Sequence, residues 1–273
     1  MKRFKNILCV MESQAAGKCA LERAVALAEH NQAELTVVEV IPRVPAGIGM
    51  PDGGPISRDL RAAMVREHEA RLVSLIEPYS ERLDVKHGVL TGTSFLEIIR
   101  AVLRNGHDLV VKCPESPDWL DRLFSGDDMH LLRKCPCPVW MIKPEVGESY
   151  QRILAAVDVD DSYPSEELET RRALNSTVME LAGSLAVSEF AELHVVNVWR
   201  AMFENTLRHS AFLRKPEDEV DAYVERVRRD QAQRLDELMR ETGAKLGPDA
   251  MDYIKPQLHL LKGEAREEIP VLA

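Results

Sequence analysis

HDLVVKCPESPDWLDRLFSGDDMHLLRKCPCPVWMIK, residues 107–143, carries the reading of the fold. An apolar run, LVV, leads into a loop; a helix start follows near Asp127 and Asp128; a second apolar run, VWMI, closes the stretch. Strand, loop, helix and strand is the order in which α/β proteins hold anions on backbone N–H groups at a helix N-terminus. The loop nevertheless has a single glycine, Gly126, where a phosphate loop uses several. Between Cys113 and Asp128 it sets Glu115, Asp118, Asp121, Asp127 and Asp128 against Arg122 alone. Each like-charge contact with a phosphate costs on the order of 1 kcal/mol or more once water is partly excluded. Pro114 and Pro117 further restrict the loop and remove N–H donors.

Outward from this stretch the chain repeats itself. NILCVME (6–12) is echoed by RILAAVD (152–158), both short apolar runs typical of strands buried on two faces. An amphipathic helical segment follows each, at 17–31 and 170–186. Then come ELTVVEV (34–40) and ELHVVNV (192–198), and long polar-faced helices over 57–83 and 217–242. VKHGVLTGTSFLEIIRAV (85–102) pairs with QLHLLKGEAREEIPVLA (257–273), which aligns Gly92 with Gly263. Strands alternating with helices predict right-handed crossovers and parallel sheets, an α/β class with two three-layer sandwiches. The expected domains are 1–146 and 147–273, with the second reading as one that stops before its last two strands.

Bulk composition narrows the function. The 273 residues are 45% hydrophobic and 29% charged, as in a soluble globular protein. A net charge of −10 argues against a nucleic-acid partner, which needs a concentrated basic surface. No apolar run is long enough to span a membrane, and the apolar run after MKRFKN is too short for a signal peptide. Five cysteines without framework spacing fit a reducing, cytoplasmic setting.

The opening strand NILCVME, the ELTVVEV strand, HDLVV and the closing KCPCPVWMIKP, with the first two repeated in the second half, resemble the universal stress protein family in its tandem two-domain form. The resemblance implies a Rossmann-like sandwich, a role in stress survival, and either an ATP-binding or a non-ATP-binding kind. The ATP-binding kind carries Gly-x-x-Gly, nine residues, then Gly with Ser or Thr. Aligned here, Cys113 and Ser116 stand at the first two glycines, Gly126 keeps the third, and Asp127 takes the hydroxyl position. The resemblance also places an Asp at the adenine end of the first strand. Glu12 stands there in the first half and Asp158 in the second, with Val40 and Val198 as the flanking valines. No cofactor is therefore expected in the first domain; ATP could use Asp158 and Val198 in the second domain of an intact chain. Asp127 or Asp128 is expected to cap the helix that follows. The closing strand of each domain pairs across a two-fold axis in the family, which implies a homodimer here. The resulting expectation is a non-catalytic stress-response protein that binds a protein partner or small ligand, with an ATP switch or a slow ATPase as alternatives.

Other motifs carry less. Cys135-Pro-Cys137 with His130 lacks the four ligands of structural zinc, so packing at a strand entry is expected and no metal. No Walker loop or nucleophile elbow occurs. PRVPAGIGMPDGGPISRDL (42–60) reads as a connector or a lid at the ligand end of the sheet. AMFENTLRHSAFLRKP (201–216) occupies the same place in the second half. Core packing is expected of its Met202, Phe203, Leu207, Phe212 and Leu213, which are otherwise suited to line an apolar groove.

Overall fold

A computed structural model describes residues 4–11, 14–43, 55–114, 126–143 and 150–273. The chain forms two compact units, Arg3–Val146 and Gly147–Ala273.

In the first unit, β1 (Asn6–Met11), β2 (Glu34–Ile41), β3 (Val85–Thr91), β4 (Leu109–Lys112) and β5 (Val139–Met141) form a sheet in the order β3-β2-β1-β4-β5. Every pairing is parallel. Helices α1 (Gln14–Asn31), α2 (Pro55–Ile76), α3 (Ser94–Asn105) and α4 (Asp127–Lys134) make the connections. A short 3-10 turn at Glu77–Tyr79 ends the long second helix, because Pro78 cannot continue the ladder. Alternation along β1 sends Ile7, Cys9 and Met11 into a core beneath α1 and α2. Leu8 and Val10 go into a second core with Ile98, Ala101, Val102 and Leu131 from α3 and α4. A strand covered on both sides must be apolar throughout, which explains NILCV.

The second unit repeats the plan with β6 (Arg152–Val157), β7 (Glu192–Trp199) and β8 (Gln257–Lys262), a three-stranded sheet among the described residues. Its helices are α5 (Ser165–Glu189), α6 (Glu204–His209), α7 (Glu217–Leu246), α8 (Pro248–Ile254) and α9 (Ala265–Leu272). The duplication extends to register. Asn6 faces Glu34 as Arg152 faces Glu192, and Ile41 faces Thr91 as Trp199 faces Lys262. It extends to turns as well: Gln32 and Phe190 both hold positive φ, at 52° and 57°, just before the second strand. Gly92 and Gly263 donate from their N–H to Ile41 and Trp199. At both glycines a Cβ would collide with the glutamate five residues on, Glu97 or Glu268, at 2.8 and 2.7 Å from Cγ.

The units differ in what covers the sheet. Ala155, Val157, Leu193 and Val195 pack under α5, α7 and α8. On the opposite face Leu154 is half-buried and Ala156 exposed, where their counterparts Leu8 and Val10 are sealed. The 201–216 segment departs from the expected core packing: Met202, Phe203, Phe212 and Leu213 are exposed, and Leu207 is half-buried. Polar anchors hold it instead. Glu204 pairs with Lys262 and Arg208, Arg208 with Asp221, and the Tyr223 hydroxyl donates to the Met202 carbonyl. With its polar groups spent on the neighbouring elements, the segment turns its apolar groups outward. Of the 42–60 stretch, Pro55 onward belongs to α2, and 44–54 lie outside the described residues.

Candidate functional site

Open parallel sheets bind ligands beyond the carboxyl ends of the strands where the strand order reverses. In the first unit that point lies between β1 and β4. β4 ends there in Lys112, which pairs in register with Val10. Its side chain is 1% exposed and forms an ion pair with Asp128 on the first turn of α4. A buried ammonium is costly unless a hydrogen-bonded counter-charge accompanies it, and Asp128 supplies one. The apolar reading of LVV passed over this lysine; a cation closing an otherwise apolar strand was the available signal.

Neither Asp127 nor Asp128 caps α4, contrary to the expectation. The N-cap is Gly126, at φ 139° and ψ 166°, a conformation closed to side-chain-bearing residues. The glycine keeps its place for backbone reasons, and the two acids fall one and two steps inside, in the first helical turn. There their charge still complements the helix dipole. Two carboxylates thus stand on the first turn of α4, one of them paired with the Lys112 ammonium. Cys113 is buried beside β4, and Val40 packs with Leu90, Phe95 and Ile99 against the core under α3. Glu12 and Ser116, like Glu115, Asp118, Asp121 and Arg122, lie outside the described residues.

A second polar group lies on the other face of the sheet, under α2. Glu39 of β2 is buried, with an ion pair to Arg71 and with His68 Nδ1 3.0 Å from its Oε2. The corresponding position on β7 is Asn197, whose amide donates to Gln231 of α7 at 3.1 Å. The duplicated scaffold holds a charged cluster in one unit and a neutral amide pair in the other.

In the second unit Asp158 sits just past β6. Its carboxylate accepts from Arg171 at 3.0 Å, from the Tyr163 hydroxyl at 3.1 Å and from the Asp160 N–H at 3.1 Å. The Arg171 guanidinium stacks on the Tyr163 ring, 3.4 Å from its centroid. Asn175 fixes the backbone, accepting from the Asp158 N–H and donating to its carbonyl. A cleft of about 360 Å³ opens here, lined by Asp158, Asp160, Asp161, Arg171, Arg172 and Arg234 among others. Val198 is half-buried on β7 opposite Leu261 and does not line this cleft.

His194 stacks on His259, with Nδ1 2.9 Å from Nε2. Among the described residues no three His, Cys, Asp or Glu side chains converge as a metal site. Among them, too, no helix is long and apolar enough to cross a membrane. The His107–Asp108 pair serves the opposite end of the sheet. Asp108 accepts from the N–H groups of Lys5 and Asn6, and His107 Nδ1 lies 2.8 Å from the Asn6 side-chain oxygen.

Comparison with known proteins agrees with this architecture. The model of the universal stress protein family matches residues 3–143. Universal stress protein E of Escherichia coli K12 is 26% identical over 285 aligned positions, which cover 100% of this chain and 82% of that protein. Universal stress protein E of Photorhabdus laumondii is 28% identical over 206 positions, covering 73% of this chain and only 63% of that protein. A crystal structure from Pseudomonas aeruginosa UCBPP-PA14 aligns over 99% of this chain and 78% of its own, with TM-score 0.62 and 25% identity.

Proposed function

We propose, from the premise that this chain belongs to the universal stress protein family, that it is a cytoplasmic, non-catalytic binding protein of the stress response whose first unit has no working nucleotide site. The ion pair between Lys112 and Asp128 carries this reading. An anion approaching α4 would meet two first-turn carboxylates. To use Lys112 it would have to displace Asp128 from a buried cation. Each unfavourable contact at about 4 Å costs roughly 1 kcal/mol in water and about 4 kcal/mol near a protein surface. Each unit is read as one stress-protein domain. β5, an edge strand of its sheet, is read as pairing with a second copy to make a homodimer, since an unpaired edge is a liability. A protein partner or small ligand then engages the assembled surface.

One observation favours a second reading, an ATP-responsive switch or slow ATPase working through the second unit: Asp158 borders a cleft lined by three arginines. Against it, the Asp158 carboxylate is already engaged by Arg171 and Tyr163. Photo-crosslinking with an azido-ATP, followed by peptide mapping, separates the two. No saturable label in either unit supports the binding-protein reading. Label within 109–134 overturns it, and label around Asp158 transfers function to the second cleft. Native mass spectrometry of the same sample tests the homodimer, which a monomer at micromolar concentration would refute.

A further inference from the structure

Five cysteines are free in the structure; Cys19 is half-buried on α1, and the other four divide into two kinds. Cys9 and Cys113 are sealed in the core of the first unit, and burial pushes the Cys9 thiol well above its ordinary range. Cys135 and Cys137 are half-buried at the rim of the α3–α4 core, with the exposed Pro136 between them. Their sulfurs lie 3.7 Å apart, within thiol hydrogen-bond reach. Cys135 follows the last residue of α4, and Cys137 stands two residues before β5.

We propose that Cys135 and Cys137 form a redox-active dithiol that closes to a disulfide on reaction with a hydroperoxide and reopens with a thiol reductant. Cys135 is the attacking sulfur. A hydrogen bond between the two sulfurs favours the thiolate of Cys135 and disfavours that of Cys137. Attack on the peroxide forms an S–O bond and breaks O–O; the departing hydroxide or alkoxide takes a proton, leaving Cys135 as a sulfenic acid. The Cys137 sulfur then attacks Cys135, forming S–S and breaking S–O, and the hydroxide and the thiol proton leave as water. Two thiols supply the two electrons that reduce one peroxide. Reopening transfers the disulfide to two thiols of the reductant. The sulfurs must close from 3.7 Å to about 2.05 Å, which draws in the segment that feeds β5. That segment is held to the sheet by the Val110 N–H donating to the Pro138 carbonyl. Oxidation therefore bears directly on an edge strand.

The test treats the full chain with hydrogen peroxide, then counts alkylated cysteines after denaturation and maps peptides. Two fewer labels than in untreated protein, with the link between Cys135 and Cys137, is the expected result. Cys137→Ser should leave a sulfenic acid on Cys135 that dimedone traps, and Cys135→Ser should not yield one on Cys137. Cys19→Ser should leave the wild-type outcome unchanged. Full labelling of both cysteines after peroxide, or first oxidation at Cys19, or a link between chains, would overturn the proposal.

Discussion

Removing the carboxylate of Asp128 should expose what the Lys112 pair contributes. The lysine side chain is 1% exposed and its partner 17%, so Asp128→Ala leaves an ammonium buried and stripped of this counter-charge. Breaking one side of a buried pair costs about 3–5 kcal/mol, and the partial exposure of Asp128 places this case near 3 kcal/mol. For a unit of this size that lowers the melting temperature by roughly 6–12 °C. The reporter is tryptophan fluorescence in a Trp199→Phe background, where the remaining tryptophans, Trp119 and Trp140, both belong to the first unit. Lys112→Met fills similar volume without a charge and should change stability by under about 1 kcal/mol, or raise it. Both side chains have further interactions, so the quantity that decides is the coupling in the double-mutant cycle, expected at about 2 kcal/mol or more. A coupling within about 0.5 kcal/mol, or an Asp128→Ala loss below about 1 kcal/mol, would refute the claim that this pair holds the switch-point crevice closed to anions.

Three further outcomes are expected. Burial lowers the His107 pKa below its ordinary value, so its contribution is present above about pH 6.5 and lost as pH falls from there toward the folded-state value; urea midpoints on either side of pH 6.5 should differ less in His107→Gln. Leu8→Ala should cost about 3 kcal/mol, since Leu8 is fully buried in the core under α3 and α4, whereas Leu154→Ala at the matching half-buried position should cost about 1 kcal/mol or less by chemical denaturation. Gly92→Ala should destabilise by about 1 kcal/mol because its Cβ meets Glu97, and adding Glu97→Ala should recover part of that loss in the same assay.

The repeat was legible in one dimension because strand periodicity, turn glycines and helix faces are local. NILCVME against RILAAVD, and Gly92 against Gly263, predicted a duplicated parallel architecture, and the matching registers of β1–β2 and β6–β7 follow from it. Cys113 and Ser116 in place of glycines, and the acids around Gly126, were the ground for expecting a loop unsuited to phosphate. Pairing across the fold was not legible. Lys112 finds Asp128 sixteen residues away only once β4 and α4 are packed, and Glu39 finds Arg71 only when α2 crosses β2. Gly126 displaced the expected aspartate cap because a single dihedral angle decides which residue can stand there. Met202, Phe203, Phe212 and Leu213 were expected inside because they are apolar, yet polar anchors to β8 and α7 set the orientation of their segment. Sequence by itself determined the architecture, since backbone and burial preferences repeat along the chain. Tertiary structure alone decided which charges are neutralised, which carboxylate is engaged and which thiols lie within reach, because those depend on distances between residues far apart in sequence.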